Sequence, residues 1–446
     1  MQGSRQALLI LFLALASWVA FASLGEGPAP RAAAGAPFGQ QVYVWQRAWS
    51  EPVRSAVRER GAAFERVVVL SRQIDWVNGT PRILRFNVDW RELKQSPAQA
   101  GAALRISSFG GNFENTKSIV ARAARELVEE ARGEGVTLAE VQIDFDAAAS
   151  KLDGYALWLA AAQKETGSVP VTITALPSWL DVPAFANLAR AASAGAPYVL
   201  QVHGLERPET FADTVELCNA GAARKAVEKA AEIGAPFRVA LPTYGMLLAF
   251  ESGATGKLLA VAAEQAGETW GAGKQVKAVE ADAMEIAELA RLWSNPADRP
   301  AALTGMIWYR LPVSGDQWNW RWPTLSAVMS GREPASPSLS VDVRESPDGS
   351  SEIRLRNTGE QDANGIERVT LEWKPGALAA ADGLAGFEMS RRGDTVQLTA
   401  VRVRSQRLRA GEERVIGWAR LGGAQPKEKQ VEVRSHVEYM RAHPGN

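Results

Sequence analysis

The run Glu140-Val141-Gln142-Ile143-Asp144-Phe145-Asp146 alternates polar and apolar residues without a break. A period of two marks a β-strand, with Val141, Ile143 and Phe145 on one face and Gln142, Asp144 and Asp146 on the other. Unpaired buried charge is costly, so strands bury carboxylates only where something is gained. Two carboxylates at i and i+2 share a face and repel, which favours a retained proton on one of them. The strand reading stops at Asp146, and Ser150-Lys151-Leu152-Asp153 opens a helix-like segment. Such strand-to-helix junctions carry the chemistry of α/β barrels. The same spacing also suits a structural pair hydrogen-bonded to neighbouring strands.

Outward from this run, strand-like and helix-like segments alternate. Strands are expected at Gln41–Arg47, Arg66–Ser71, Leu104–Phe109, Val141–Asp146, Val171–Leu176, Tyr198–His203, Phe237–Tyr244 and Leu303–Leu311. Helices are expected at Pro52–Arg60, Thr116–Gly133, Leu152–Glu165, Pro183–Ala192, Ala222–Ile233, Ala281–Trp293 and Trp322–Ser330. The Asn78-Gly79 turn and Ile83–Val88 suggest an inserted hairpin. Eight strands, most followed by a helix, predict parallel pairing and an α/β fold, a (β/α)8 TIM-type barrel over residues 39–331. An open doubly wound sheet is the alternative, but no Gly-x-Gly-x-x-Gly turn follows the first strand.

After the Pro334 and Pro337 linker the period changes. Leu339–Val343, Ile353–Arg356, Val369–Trp373, Val396–Ala400 and Val415–Trp418 read as short strands separated by turns. They predict a small C-terminal β-sandwich over residues 339–423. Residues 424–446 read as a charged tail, in which Val431–Val437 could add an edge strand. At the other end, residues 1–22 read as an export signal, with Arg5 before an apolar run and a small-residue Ala20-Phe21-Ala22 cleavage pattern. Residues 23–38 read as a disordered spacer. The expected location is periplasmic or secreted. An uncleaved leader would instead anchor the chain in the membrane.

Composition narrows the function. The 446 residues carry 50 Lys plus Arg and 50 Asp plus Glu, so the chain has no nucleic-acid-type electrostatic footprint. With one cysteine, no internal disulfide forms. Three histidines make a histidine-rich metal site a poor expectation, and neither a metal nor a cofactor is assigned. Fifteen tryptophans suit both a large core and a sugar-binding cleft, where a flat ring stacks on a sugar face.

In a closed barrel the strand ends form the active site. Those ends supply Trp45 and Arg47, Ser107 and Ser108, Asp144 and Asp146, Thr174, Gln201 and His203, Tyr244, and Trp308 and Arg310. Asp144, Asp146 and Tyr244 are the candidate catalytic groups, Asp146 as acid and Asp144 as its electrostatic partner. Trp45, Arg47, Gln142, Gln201, His203, Trp308 and Arg310 are the candidate substrate contacts. Each has a structural alternative: His203 as a satisfied core residue, Tyr244 and Trp308 as packing, and Arg47 and Arg310 as partners of the aspartates. No Gly-x-Ser-x-Gly elbow points to acyl transfer.

Several of these pieces together resemble known patterns. Ser108-Phe109-Gly110-Gly111 resembles the Ser-x-Gly-Gly motif of family 18 glycoside hydrolases, the chitinase-like barrels. Asp144-Phe145-Asp146 resembles the Asp-x-Asp of their fourth-strand signature, and Trp308 stands where they place an aromatic floor. The closer resemblance is to DUF3142, a bacterial family of unknown function. It rests on Val44-Trp45-Gln46-Arg47, Val141–Asp146, Thr174–Leu180, Gln201-Val202-His203-Gly204 and Ala240–Gly245. The resemblance implies a glycosidase-type barrel acting on a polysaccharide or oligosaccharide, without an established activity. The chitinase signature continues to a glutamate acid, whose place here is Ala148. A methyl group transfers no proton, so that mechanism is excluded. Glycoside hydrolysis normally needs two carboxyl groups. Glu51, Asp75, Asp89, Glu206 and Glu251 are further candidates for the second. A non-catalytic glycan-binding protein on the same scaffold is the alternative, and a carboxylate–metal deacetylase a third reading.

Overall fold

The computed structural model describes residues 38–204, 207–262, 273–346, 348–374, 378–403, 406–422 and 434–439. The expected leader, nearly all of the spacer, most of the tail and Glu206 lie outside them. Eight parallel strands close a barrel: β1 (Gly39–Val44), β2 (Arg66–Val77), β4 (Gln99–Ile106), β5 (Leu138–Asp144), β6 (Val171–Ala175), β7 (Tyr198–Gln201), β8 (Phe237–Pro242) and β12 (Leu303–Tyr309). β1 pairs with both β2 and β12, which seals the ring. β3 (Thr80–Arg85) folds back antiparallel on the extended end of β2, the hairpin that Asn78-Gly79 predicts. Helices α1 (Glu51–Arg60), α2 (Trp90–Gln95), α3 (Phe113–Gly133), α4 (Leu152–Glu165), α5 (Pro183–Ala192), α6 (Ala220–Glu232), α7 (Ala283–Ser294) and α8 (Trp322–Met329) accompany the strands.

Local chemistry explains the helices. Asn112 caps α3 by accepting from the Asn115 N–H at 3.2 Å, and Val120, Ala123, Leu127 and Ala131 form its buried stripe. The outer faces of the strands pack on such stripes. The inner faces build a separate core that includes Tyr43, Trp45, Val68, Leu70, Ala103, Ala240 and Ile307.

Below that core lies an ionic plug. Arg238 donates to Glu140 through two nitrogens at 2.7 and 2.9 Å and also reaches the Gln41 side chain and the Pro197 carbonyl. Arg66 adds a second cation 3.1 Å from Glu140. Burial alone would raise the Glu140 carboxyl, but Arg238 and Arg66 hold it below its ordinary value. Gln142 donates to Glu140 at 2.6 Å and accepts from the Tyr43 hydroxyl at 2.6 Å. The polar face of β5 thus runs up the barrel axis, from an ion pair at Glu140 to the mouth at Asp144.

The stretch between β8 and α7 is an antiparallel sheet in the order β10 (Leu258–Ala262), β9 (Gly245–Glu251), β11 (Lys274–Glu280). It stands beside the barrel mouth. Beyond α8 come β13 (Leu339–Glu345), β14 (Ser351–Asn357), β15 (Ala363–Asn364), β16 (Ile366–Glu372), β17 (Leu378–Gly383), β18 (Phe387–Arg392), β19 (Thr395–Ala400), β20 (Arg407–Leu408), β21 (Glu413–Leu421) and β22 (Arg434–Tyr439). Two four-stranded sheets, β13-β14-β21-β17 and β18-β19-β16-β22, enclose a core of Ile353, Leu355, Val369, Leu371, Val396 and Leu398. The alternating side chains of these strands give the sandwich its dry interior. β22 pairs with β16, so this part of the expected tail belongs to the sandwich.

Candidate active site

Phe145 decides where the aspartates point. Its ring sits outside the barrel among Tyr155, Trp158 and Phe113, with centroids 5.4, 5.2 and 6.3 Å away. The next residue is therefore turned back over the mouth, which continues the alternation for two residues past the last ladder bond. Trp179 fixes this turn by donating its indole N–H to the Ala147 carbonyl at 2.9 Å. Asp144 and Asp146 both line a cavity of about 420 Å³, together with Trp45, Arg47, Gln201, His203 and Tyr244.

The two carboxyls differ in surroundings. Asp144 is buried, accepts from the Thr174 hydroxyl at 2.8 Å and has the Arg105 guanidinium 4.0 Å away. Asp146 opens into the cavity. Solvent reaches it, yet the walls displace much of the bulk water that would stabilise a charge. That desolvation, followed by the charge of Asp144, pushes its pKa up to about 6. Asp146 thus holds its proton to higher pH than an ordinary carboxyl, while Asp144 accepts a hydroxyl hydrogen bond beside a guanidinium, a contrast of surroundings that an acid/base pair requires.

Tyr309 is the hub of the aromatic wall. It meets Trp45 at 5.4 Å, Tyr43 at 5.8 Å and Tyr244 at 5.2 Å edge-on, and stacks on His203 at 5.5 Å. Burial pushes the Tyr244 hydroxyl up to about 12, so it stays protonated. Its hydroxyl sits against Gly204, at φ +65°, where a Cβ would come within 2.8 Å of it. Glycine at 204 serves both the left-handed backbone and this close approach.

Several expected contacts fall elsewhere. Trp308 points out of the barrel, fully buried, and donates to the Gln40 side chain at 2.7 Å. It is core and not a floor for a sugar; a one-residue change of register exchanges it with Tyr309. Arg310 is buried against Asp316, donating at 2.7 and 3.2 Å, and does not line the cavity. Gln142 lies one layer below the cavity in the Tyr43–Glu140 chain. His203 lines the cavity with its ring, but both nitrogens are buried with no hydrogen-bond partner among the described residues. It therefore orients neither carboxylate. Desolvation lowers its pKa to about 3 and keeps it neutral.

Within the Ser-x-Gly-Gly stretch, Phe109 is buried against Trp158 and Trp76, and its carbonyl accepts from Lys151, while Ser108 does not line the cavity. Glu51 pairs with Arg54, Asp75 with Arg82, and Asp89 caps α2; neither they nor Glu251 line the cavity. Among the described residues its carboxylates are Asp144 and Asp146. Among the same residues no group of three His, Cys, Asp or Glu converges as a metal site. Sequence reading missed Arg105, Tyr43 and Tyr309. Parity along each strand was the available signal: Tyr43 shares a face with Trp45, and Arg105 is two residues beyond inward Ala103.

Residues 102–314 match the family model described as "Domain of unknown function (DUF3142)", and residues 341–422 match "Domain of unknown function (DUF8456)". No curated protein matches the chain. Similar solved structures include the Bacillus cereus spore cortex-lytic enzyme SleL, at 12% identity and TM-score 0.46, covering 67% of this chain and 75% of that one. A Chromobacterium violaceum chitinase has 14% identity and TM-score 0.44, covering 66% of this chain and 98% of its own. A chitinase-like agglutinin from Robinia pseudoacacia has 12% identity and TM-score 0.41, covering 65% and 98%. The DUF3142 match over residues 102–314 falls on the barrel and includes Val141–Asp146, Thr174–Leu180, Gln201–Gly204 and Ala240–Gly245, and the DUF8456 match over residues 341–422 falls on the sandwich.

Proposed function

We propose that the cavity at the barrel mouth is a carbohydrate site and that the protein is a glycosidase-like hydrolase. Asp146 is the proton donor to the leaving oxygen and Asp144 the anion that stabilises positive charge developing on the sugar. The observation that carries this reading is the Asp146 carboxyl, open to the cavity and pushed up to about 6 beside Asp144. Around it, the half-buried Tyr244 and Tyr309, backed by the buried Trp45, offer apolar ring surface with polar edges, the kind of surface a pyranose packs against. Tyr244, protonated throughout, supplies a hydrogen bond to oxygen. The leader reading of residues 1–22 supports a periplasmic or secreted location, where a polysaccharide would be met.

One observation favours a second reading, a glycan-binding protein without turnover. Ala148 occupies the place of the chitinase glutamate, and no third carboxylate among the described residues lines the cavity. Asp146→Asn separates the two when reducing ends are counted and binding is measured on a panel of polysaccharides. An enzyme loses turnover and keeps binding. A chain with binding but no turnover before substitution is a lectin, and a chain with neither ends both readings.

A further inference from the structure

A second hollow of about 630 Å³ adjoins the catalytic cavity, and Arg47 lines both. It lies between the turn after β1 and the segment from β3 to α2. Its charged lining is Arg47, Arg54, Arg85 and Arg91 against Asp89 and Glu134. Two of the arginines are already answered by carboxylates: Arg54 by Glu51 at 2.9 Å and Arg85 by Glu126 at 2.6 Å. Arg47 and Arg91 are not, among the described residues.

Arg47 is held in place without being neutralised. Its Nη2 donates to the side-chain oxygen of Gln73 at 3.2 Å, and its guanidinium lies 5.6 Å from the Phe86 ring centroid. Gln73, nearly buried, is itself fixed by donating to Asp75 at 2.6 Å. An amide satisfies a hydrogen bond but carries no charge, so the cation remains available to a ligand. Planar guanidinium groups match carboxylates and sulfates through paired N–H donors. Inside the catalytic cavity, Arg105 forms an ion pair with Asp144 at 4.0 Å and lines the same wall.

Resting on the carbohydrate reading above, we propose that the ligand is an anionic glycan, a uronate or sulfated polysaccharide. Its chain leaves the Asp144–Asp146 cavity past Arg47 and continues along the Arg91 side of the second hollow. Arg47 meets an acidic group at the cavity, and Arg91 meets one further along. A neutral glycan would gain nothing from these cations. The retained proton on Asp146 suits the same ligand, because it removes one negative charge from the site.

The test is isothermal titration of the full chain with oligogalacturonides, alginate oligosaccharides and heparin fragments. Chitooligosaccharides and cellooligosaccharides of matched length serve as neutral probes, and each is run at low and high salt. The expected result is at least about tenfold tighter binding of an anionic series, weakening as salt rises, the increment that one well-placed ionic contact supplies. The double variant Arg47→Gln with Arg91→Gln should lose this preference with its circular dichroism unchanged, and Arg47→Lys should restore part of it. Neutral oligosaccharides binding equally well, with no salt dependence, would overturn the anionic assignment and leave the carbohydrate reading standing. Binding of neither series overturns both.

Discussion

Arg407 of the sandwich grips Glu280 of the barrel through two parallel hydrogen bonds of 2.7 and 2.8 Å. Glu280 ends β11 and pairs in register with Gly245, and the following N–H, of Ala281, donates to the Tyr244 carbonyl at 3.0 Å. The neighbouring Arg409 donates to the backbone carbonyls of Gln317 and Asn319, and Asn319 in turn bridges Tyr244 and accepts from the Thr243 hydroxyl. The C-terminal module is thus built into the support of the Tyr244 wall, a packing role. Arg407→Ala should cost about 1–2 kcal/mol, the value of a charged bidentate contact reduced for its partial exposure. Urea unfolding measures the loss, and hydrogen exchange should quicken in residues 243–250 and 274–281. Unchanged exchange there would mean that the module merely rests on the barrel.

The ionic plug makes a sharper prediction. Glu140 is fully buried with Arg238 and the partly exposed Arg66 on it, so Glu140→Ala strands the Arg238 cation in a low-dielectric interior. Removing one member of such a pair typically costs about 3–5 kcal/mol. Replacing Glu140 and Arg238 together by methionine should recover most of that loss, since it removes the desolvation cost along with the attraction. Denaturant midpoints of the single and double variants check both statements. A double variant as unstable as the single would show that the hydrogen bonds to Gln41, Gln142 and Pro197 matter more than the charges.

His203 is a buried base whose pKa is lowered from 6.5 to about 3 by desolvation. A base depressed in the folded state contributes stability that is complete above its unfolded pKa and lost as pH falls. Wild type should therefore lose about 3 kcal/mol between pH 6.5 and 4 through this group alone. His203→Phe keeps the ring stacked on Tyr309 and removes two unpaired nitrogens. It should equal or exceed wild type at pH 7 and gain further on acidification, as read from thermal melts across that range.

How much of this was legible depended on contrast along each strand. In β5 polar residues alternate with apolar ones, so the inward face could be named from the sequence, and Asp144 and Asp146 do line the mouth. In β12, Leu303-Thr304-Gly305-Met306-Ile307-Trp308-Tyr309, both faces are apolar because helices cover the outside and other strands the inside. Nothing in that run distinguishes Trp308 from Tyr309, so the sequence alone does not say which ring faces the mouth. Arg310 could not be placed because its partner, Asp316, sits in an irregular loop with no periodicity to read. The β9–β11 sheet was missed for a related reason: its strands are an insertion between β8 and α7, where the alternation of strand and helix leads one to expect only a connection. Closure of the barrel was readable because it needs only the count and order of elements.

Asp146 links stability and activity through one proton. Its carboxyl rises from 3.8 to about 6, first from desolvation and then from Asp144, with Arg105 and Arg207 opposing. An acid raised in the folded state contributes stability that is complete below about pH 3.8 and lost as pH climbs through 6. Asp146→Asn is neutral at every pH, so its advantage over wild type should be nil near pH 4, grow toward 6 and level off above. The plateau should be about 1–2 kcal/mol, less than the full shift would give, because the carboxyl opens to solvent in the cavity. Turnover in the wild type should fall on the same limb, since a general acid works only while it holds its proton. Melts of both proteins from pH 4 to 8, beside a pH–rate profile on any hydrolysed glycan, measure the two limbs together. A stability difference with no inflection near 6 would remove Asp146 as the proton donor and leave Asp144 to be tested in its place.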